Sequence, residues 1–320
     1  MKKNIRFALV PSDPATKIEW NSTWMQNGIT VAGGNKEGEA LNQLYYPYGI
    51  YVDDNDQSIY VSDEYNHRIV QWKPNAINGQ VVAGGNGSGN ETNQLSYPTG
   101  VILNKRNNSL IISDLGNRRI VEWSRQNPSH VEILLSNVEG RGLAMDKNGS
   151  IYISSYDTQT VERWKTGDKH PVIVAGGNGE GNHSNQLRNP RSIFVDDDYS
   201  LYIPDVGNHR VMKWLVGAKE GLVVAGGNGH GDGRNQLAYP HGIVVDQFGR
   251  IYVADTGNDR VVRWNQDGKE GVVIVGGNGR GNQTNQLDCP VALTFDQHGN
   301  LYVDEYNNGR IQKFLIQSNS

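Results

Sequence analysis

The chain repeats itself about every 50 residues, and this period limits its fold more than any other feature. The tripeptide Gly-Gly-Asn occurs five times, with Asn-Gln-Leu nine residues later, starting at Gly33, Gly84, Gly176, Gly226 and Gly276. Each unit closes on an aromatic residue: Trp72, Trp123, Trp164, Trp214, Trp264 and Phe314. The aromatic spacings are 51, 41, 50, 50 and 50 residues. There are therefore six units, and the third has lost most of one loop.

Each unit has the pattern of four short β-strands. In the fifth unit these are Gly242–Asp246, Arg250–Ala254, Arg260–Trp264 and Gly271–Val275. The segments are rich in Val, Ile and Tyr and are bounded by Gly, Asn and Asp, which is typical of strands and tight turns. No window shows a helical period. Six four-stranded antiparallel sheets can bury both of their faces by stacking around an axis, so the sequence predicts an all-β, six-bladed β-propeller.

The two ends of the repeat predict how the ring closes. Residues 28–32 resemble a fourth strand without a unit of their own, and the last unit stops after Phe314 without a fourth strand. We expect the N-terminal strand to complete the last blade, because this leaves no blade open. The sequence predicts three parts: an N-terminal tail over residues 1–28, a single propeller over 29–316 and a C-terminal tail over 317–320. Residues 1–19 lie outside the repeat and are expected to be either a tail or a cover for one face of the propeller.

Composition excludes several protein classes. The 320 residues carry a formal charge of −4, and 36% are hydrophobic, which together with 39 glycines is normal for a globular chain. One cysteine rules out a disulfide scaffold, and no apolar run is long enough to span a membrane. The early apolar stretch Phe7–Val10 is too short for a signal peptide. The compartment is left open, including the alternative that the chain is a piece of a larger secreted protein.

A turn motif recurs between the second and third strands of the units. It starts at Asp63, Asp114, Asp205 and Asp255, with Asn three residues later and Arg five residues later. Together with the preceding Pro-x-Gly-Ile-x-Val-Asp segment, as at Pro240–Asp246, this motif resembles the NHL repeat, over residues 29–316. The resemblance implies a six-bladed propeller. The repeated Asp, Asn and Arg are interpreted as scaffold residues that hold the loop, and the closing Trp as a residue packed between blades.

Function is expected where the units differ, at the loops around the axial channel. The slot between Pro and Gly of the Pro-x-Gly segment gives one predicted ring, with Arg141 of the shortened unit placed by alignment on Gly142: Tyr48, Thr99, Arg141, Arg191, His241 and Val291. A second ring follows the turn Asp: Glu64, Leu115, Tyr156, Val206, Thr256 and Tyr306. The candidate ligand-binding residues taken from these rings are Tyr48, Thr99, Arg141, Tyr156, Arg191, His241 and Tyr306.

The most specific hypothesis is an anion-binding site formed by two arginines of the first ring. Arg141 and Arg191 lie on adjacent blades and are flanked by Tyr156, and guanidinium groups match the oxygens of carboxylate or phosphate. A solvated rim with incidental charge is the alternative. The shortened loop of the third unit predicts a notch beside Arg141, which is either a ligand entrance or a plain deletion.

Two enzyme functions known for six-bladed propellers are the alternatives to binding. The amidating lyases with this kind of propeller use three Pro-His-x loops for zinc, whereas here only His241 follows a proline in that slot. In a calcium-dependent lactonase, acidic and amide groups of several blades would be needed. The innermost-strand aspartates recur and are interpreted as turn residues: Asp53, Asp146, Asp196, Asp246 and Asp296. Cys289 is assigned to packing. No catalytic or metal-binding residue is therefore predicted, with calcium or zinc in the axial channel kept as an alternative.

The sequence thus favours a non-enzymatic binding or scaffold module, expected to be a monomer. Its expected partner is a protein, a peptide or a small anionic ligand on the channel face. A metal-dependent propeller enzyme of the lyase or lactonase type is the first alternative. RNA binding is the third possible function, after the binding module and the enzyme, and the net charge of −4 disfavours it. It would use Arg118, Arg119, Arg141, Arg188 and Arg191.

Overall fold

The chain forms a closed six-bladed β-propeller in a computed structural model that describes residues 18–266 and 268–317. The stretch Phe7–Val10 and the rest of residues 1–17 lie outside the described residues, so the expected tail or cover there is not addressed. Two strands precede the first blade: β1 (Thr23–Trp24) and β2 (Ile29–Gly33). None of the helices in the described part of the chain has the length and apolar character needed to cross a membrane.

The first three blades are complete sheets of four consecutive antiparallel strands. Blade one consists of β3 (Pro47–Val52), β4 (Ile59–Asp63), β5 (Arg68–Trp72) and β6 (Gln80–Gly84). Blade two consists of β7 (Pro98–Asn104), β8 (Ser109–Asp114), β9 (Arg119–Ser124) and β10 (Val131–Ser136). Blade three consists of β11 (Gly142–Met145), β12 (Ile151–Ser155), β13 (Thr160–Trp164) and β14 (Val172–Gly176).

The last three blades follow the same plan, and the sixth takes its outer strand from the N-terminus. Blade four consists of β15 (Phe194–Val195), β16 (Leu201–Asp205), β17 (Arg210–Trp214) and β18 (Leu222–Gly226). Blade five consists of β19 (Pro240–Val245), β20 (Ile251–Asp255), β21 (Arg260–Trp264) and β22 (Gly271–Gly276). Blade six consists of β23 (Pro290–Phe295), β24 (Leu301–Glu305), β25 (Arg310–Phe314) and β2. The predicted fold and ring closure are confirmed.

The end of the chain forms one more pairing. Strand β26 (Ile316–Gln317) is antiparallel to β1, with Thr23 opposite Gln317 and Trp24 opposite Ile316. The segment before β2 therefore also contacts the last blade. The predicted boundaries at residues 28 and 316 stay a prediction, because the structure does not test where an independent domain would begin or end.

The core lies between blades, where the face of one sheet packs on the next. The closing aromatics Trp72, Trp123, Trp214, Trp264 and Phe314 are at most 4% exposed, whereas Trp164 is partly buried. Each innermost-strand aspartate accepts hydrogen bonds from backbone N–H groups of the turn that follows it, as Asp146 does from Asn148 and Ser150. The turn role predicted for these aspartates is what the structure shows.

The repeated Asp, Asn and Arg hold the long loop that enters their own blade. In blade one, Asp63 Oδ2 pairs with Arg68 Nε at 2.6 Å, and Arg68 Nη1 donates to the carbonyl of Glu39 in the incoming loop at 2.7 Å. Asn66 Nδ2 donates to the carbonyl of Gly38 at 2.8 Å. In blade three only residues 137–141 join β10 to β11, and the turn at 155–160 lacks all three motif residues. The loop and the residues that hold it have been lost together.

Candidate functional site

The channel ring is built by the start of each innermost strand. The residue before the proline has a left-handed backbone in five blades, with φ between 49° and 56°: Tyr46, Tyr97, Asn189, Tyr239 and Cys289. Two residues after the pre-proline residue comes the slot that faces the channel. Glycine follows the slot in four blades, at Gly49, Gly100, Gly142 and Gly242, whereas blades four and six have serine and alanine there. At Gly49 a Cβ would collide with the backbone oxygen of Thr99 in the next blade. Glycine at these four positions lets neighbouring innermost strands approach closely.

All six slot residues line one cavity of about 200 Å³ at the axis: Tyr48, Thr99, Arg141, Arg191, His241 and Val291. The structure therefore brings together the residues that the sequence placed in one ring. Thr99 is 1% exposed and its hydroxyl donates to the carbonyl of Gly140 at 3.1 Å, so it is engaged in holding the neighbouring blade. The chemistry of the channel is therefore set by the other polar side chains of the ring, which are Tyr48, Arg141, Arg191 and His241.

Arg191 reaches across the channel. Its Nη1 donates to the hydroxyl oxygen of Tyr48 at 2.8 Å, although these residues belong to blades four and one, on opposite sides of the ring. The guanidinium carbon lies 6.0 Å from the centroid of the Tyr48 ring. Arg191 Nε is buried and has no hydrogen-bond partner among the described residues. A donor in this position is suited to an acceptor that enters from outside, because a buried unpaired donor is costly.

Arg141 occupies the place where the third unit is shortened. Its Nε lies 3.1 Å from Glu139 Oε1, while Glu139 Oε2 accepts the backbone N–H of Asp157 at 2.8 Å. Glu139 is 8% exposed and so fastens the short connection to the turn of blade three. Sequence reasoning did not identify Glu139, because it lies outside both the Pro-x-Gly slot and the turn motif. The predicted notch beside Arg141 stays a prediction.

Glu64 is a buried acid close to both arginines. It is 7% exposed, it begins the short 3-10 turn Glu64–Asn66, and its Oε2 has no hydrogen-bond partner among the described residues. Burial raises the pKa of Glu64 to about 7, against the opposing effects of Arg141, Arg191 and the Tyr306 hydroxyl. The sequence placed Glu64 in the second ring but not among the site residues. The signal was available, because Glu64 is the charged member of that ring.

His241 is neutral at physiological pH. Burial, and then the charges of Arg191 and Arg141, lower its pKa to about 4. Its Nδ1 lies 2.9 Å from the carbonyl oxygen of Tyr239, which leaves Nε2 as a hydrogen-bond acceptor when Nδ1 carries the proton. The positive charge of the ring therefore comes from the two arginines.

The two predicted tyrosines of the second ring differ in position. The Tyr306 ring lies 6.1 Å from that of Tyr48 and is stacked at 4.6 Å on Tyr46, so it belongs to the channel mouth. Tyr156 is 46% exposed and is not among the described residues that line the cavity. Tyr306 does not line the cavity either, but it contacts the ring residue Tyr48.

A row of aromatic rings extends outward from Tyr306. Tyr46 contacts Tyr65 at 5.0 Å, and Tyr65 contacts Tyr97 at 5.4 Å between ring centroids. Tyr65 and Tyr97 are 41% and 40% exposed. The rim over blades six, one and two is therefore lined with aromatic rings beside the charged channel mouth.

Within residues 18–266 and 268–317, no three His, Cys, Asp or Glu side chains lie together so as to hold a metal ion. Calcium or zinc in the axial channel stays an untested alternative. Cys289 is a thiol rather than a thiolate, because burial, followed by Asp288 and Asp259, raises its pKa to about 11.

Comparison with known proteins identifies the repeat. The NHL repeat family model matches residues 44–72 and 237–264, which are the corresponding parts of blades one and five. The resemblance stated from the turn motifs is confirmed by these matches and by the six-bladed structure. No curated protein matches the sequence.

Solved structures share the fold at low sequence identity. An auxiliary nutrient binding protein from Bacteroides thetaiotaomicron has a TM-score of 0.70 and 16% identity, covering 91% of this chain and 76% of that one. A gluconolactonase from Xanthomonas campestris has a TM-score of 0.63 and 14% identity, covering 97% and 99%. Virginiamycin B lyase from Staphylococcus aureus, solved with quinupristin, has a TM-score of 0.56 and 12% identity, covering 87% and 98%. Such identities show a common fold and leave the function to the site itself.

Proposed function

We propose that this chain, a six-bladed β-propeller with NHL repeats, is a binding protein that takes a small anionic ligand at the mouth of its axial channel. The observation that carries the proposal is the convergence of Arg141 and Arg191 on one cavity, where the Nε of Arg191 is buried without a partner. Guanidinium groups recognise carboxylate and phosphate-like oxygens through paired hydrogen bonds.

The surroundings of the two arginines support an anion rather than a cation. Glu139 pairs with Arg141 at 3.1 Å, so at most one of the two positive charges is offset by a nearby ion pair. His241 is neutral, and the pKa of Glu64, at about 7, leaves a large share of this acid protonated at neutral pH. Tyr48 already supplies a neutral oxygen to Arg191 at 2.8 Å, the position in which an anionic oxygen would be bound more strongly. The tyrosine row from Tyr306 outward offers an apolar surface for the uncharged part of the same ligand.

The cavity size sets the scale of the ligand. A volume of about 200 Å³ admits a carboxylate or sulfate group with a few further atoms. A nucleic acid strand would instead require a continuous basic groove. On the same face, Arg118 is paired with Asp157 at 2.8 Å and Arg188 with Glu180 at 2.8 Å, so these exposed arginines are already neutralised.

The test removes both channel arginines. In calorimetric titrations with sulfate and with succinate, Arg141→Ala combined with Arg191→Ala is expected to weaken binding at least 100-fold, because two charge-assisted contacts are lost. The matched control is Arg118→Ala combined with Arg188→Ala, which removes the same charge from the same face and is expected to change affinity less than threefold. Equal binding by the wild-type protein and the channel variant, with both folded by circular dichroism, would overturn the proposal.

A further inference from the structure

The chain carries the tripeptide Asn-x-Ser/Thr, the acceptor sequence for N-linked sugars, at seven asparagines: Asn21, Asn86, Asn90, Asn107, Asn148, Asn182 and Asn282. Three of these acceptor sequences occupy the same place in the long loops that enter blades two, four and six. They are Asn90-Glu91-Thr92, Asn182-His183-Ser184 and Asn282-Gln283-Thr284. The middle residue differs in each, and the third alternates between Thr and Ser. Within these tripeptides the three loops share only what the acceptor sequence requires.

The propeller uses the backbone at this place in the loop, but not the asparagine side chain. An arginine of the blade's own turn motif donates to the carbonyl oxygen of Asn90 at 3.0 Å, of Asn182 at 2.8 Å and of Asn282 at 2.7 Å. Blades one and five make the same contact with the carbonyl oxygens of Glu39 and Asp232, at 2.7 and 2.8 Å. Since an acid serves in two blades, the fold does not require asparagine there.

The side-chain amides of these three asparagines are available. Asn90, Asn182 and Asn282 are exposed, and their amide groups have no hydrogen-bond partner among the described residues. The hydroxyl two residues later has no shared structural role either. Thr92, Ser184 and Thr284 are all exposed. Ser184 donates to a carboxylate of Glu220, whereas Thr284 donates to the side chain of Asn27. The folded structure therefore gives no reason of its own for an Asn-x-Ser/Thr tripeptide at this place.

Asn86 shows what an asparagine with a structural role looks like in the same loop. Its Nδ2 donates to the backbone carbonyl of Asn93 at 3.0 Å. The equivalent asparagines of the other long loops make this contact too, without belonging to an acceptor sequence: Asn35, Asn178, Asn228 and Asn278. The asparagine at this position is explained by the fold in all five loops.

The remaining acceptor sequences are also engaged in the fold. Asn107 Nδ2 donates to Glu122 Oε1 at 3.0 Å, and Asn148 Nδ2 donates to the hydroxyl oxygen of Tyr199 at 2.7 Å. Asn21 has a contact within the chain as well. The third residues of the sequences at Asn107 and Asn148 are both 3% exposed: Ser109 and Ser150. The structure thus separates three available acceptor sequences from four that are held in place.

The three available asparagines share one face of the ring with the channel mouth. In blade two, Gly89 next to Asn90 accepts a hydrogen bond from Asn117 Nδ2 at 2.7 Å. Asn117 ends the short turn that begins with the second-ring residue Leu115. The equivalent contacts join the loops and turns of blades four and six. The three sites therefore lie on alternate blades of this face.

We propose that Asn90, Asn182 and Asn282 are N-glycosylation sites, and that the chain is made in a secretory compartment. In the transfer, Asn Nδ2 attacks C1 of the first sugar of an oligosaccharide carried on a lipid diphosphate. The bond between Nδ2 and C1 forms, the bond between C1 and the diphosphate oxygen breaks, and the lipid diphosphate leaves with that electron pair. One amide proton passes to a base of the transferase. Because these amides have no partner in the fold, the attached sugar displaces no contact.

The test uses the full-length protein purified from the cells that naturally produce it. Digestion with peptide:N-glycosidase in heavy-oxygen water converts each sugar-bearing asparagine into isotope-labelled aspartate, which peptide mass spectrometry locates. We expect the label at the three proposed sites and none at the engaged asparagines Asn86, Asn107 and Asn148. Native protein without the label at the proposed sites, or with the label at the engaged asparagines in their place, would overturn the proposal.

Matched variants separate sugar attachment from folding. The triple variant Thr92→Ala, Ser184→Ala and Thr284→Ala removes the three acceptor sequences and keeps the asparagine carbonyl contacts. Secreted by a glycosylating host behind a cleavable signal sequence, the wild-type protein is expected to lose mass on glycosidase digestion and the triple variant is not, with both folded by circular dichroism. Asn86→Gln is the matched control and should lose as much mass as wild type. Secreted wild-type protein whose mass the enzyme leaves unchanged, or a loss that only Asn86→Gln removes, would contradict the assignment.

Discussion

Glu64 makes the channel site sensitive to protons. The groups that face it are Arg141, Arg191 and Tyr306, with Tyr48 and Asp304 nearby. Asp304 is fully buried and has no partner at either carboxyl oxygen among the described residues. Burial, and then the acids Glu305, Asp63 and Glu64, raise its pKa well above the usual value, which favours the neutral form of Asp304. Burial raises the pKa of Glu64 to about 7, so we expect this acid to change charge near neutral pH.

Anion affinity is expected to fall as the pH rises from 6 to 8. Below pH 7 a neutral Glu64 does not compete with the ligand for the arginines, whereas above pH 7 its carboxylate does. Glu64→Gln should bind sulfate about tenfold more tightly than wild type at pH 8 and should lose the pH dependence. Calorimetry with sulfate measures this, because sulfate does not titrate in that range. A wild-type affinity that is flat with pH would contradict the assignment.

At the residue scale, the cavity-lining positions of Tyr48, Arg141 and His241 followed from spacing, because the repeated backbone points the same slot towards the axis. Their role in ligand binding stays a prediction. The contact between Arg191 and Tyr48 was not predicted, because it depends on the width of the channel relative to the length of an arginine side chain. The burial of Glu64 was missed for the same reason, since burial at a channel mouth is set by the neighbouring blades.

Between blades, a side chain in the left-handed position after the turn accepts the backbone N–H of the residue before proline in the next blade. His67 Nδ1 accepts from Tyr97 at 3.1 Å, and His209 Nδ1 accepts from Tyr239 at 3.2 Å. Gln159 Oε1 and Asp259 Oδ1 do the same for Asn189 and Cys289. These contacts fix the neighbouring innermost strands, and through them the ring. The pattern was not visible in the sequence, because four contacts use three residue types.

The two histidine contacts require unprotonated rings. Burial, the largest cause, lowers the pKa of both His67 and His209 below the usual 6.5. A base with a lower pKa in the folded state stabilises the fold above its unfolded pKa, and this contribution is lost as the pH falls below about 6.5. His67→Gln combined with His209→Gln, which copies Gln159, is therefore expected to reduce the drop in melting temperature between pH 7.5 and pH 5. Calorimetric scans check this, and an unchanged drop in the double variant would show that the histidines do not contribute.

Across the whole molecule, the six blades, their four strands and the closure by β2 followed from the repeat, because a fixed period dictates a fixed stacking geometry. The segment ahead of β2 could not be predicted in the same way. It lies outside the period, and its position depends on departures from the repeat. Arg250 stands where blades three and four have Ser150 and Ser200, and Phe248 where they have Asn148 and Asp198. Only the folded ring shows that these two residues face Trp20.

The segment ahead of β2 is expected to contribute to the closure of the ring together with β2. Trp24 is 2% exposed, joins the core of blades five and six, and continues into the pairing of β1 with β26. Trp20, four residues earlier, is 62% exposed and contacts Phe248 edge-on. Trp24→Ala is therefore expected to lower the free energy of unfolding by about 3–5 kcal/mol, the usual cost of emptying a tryptophan site in a core. Trp20→Ala is the matched control and should cost no more than about 1 kcal/mol.

Urea unfolding followed by circular dichroism distinguishes two forms of closure. If the segment and β2 close one cooperative ring, Trp24→Ala will shift a single transition to lower urea with an unchanged slope, because the same surface is exposed on unfolding. If the segment is only an attachment to a ring already closed by β2, the main transition will coincide with that of Trp20→Ala.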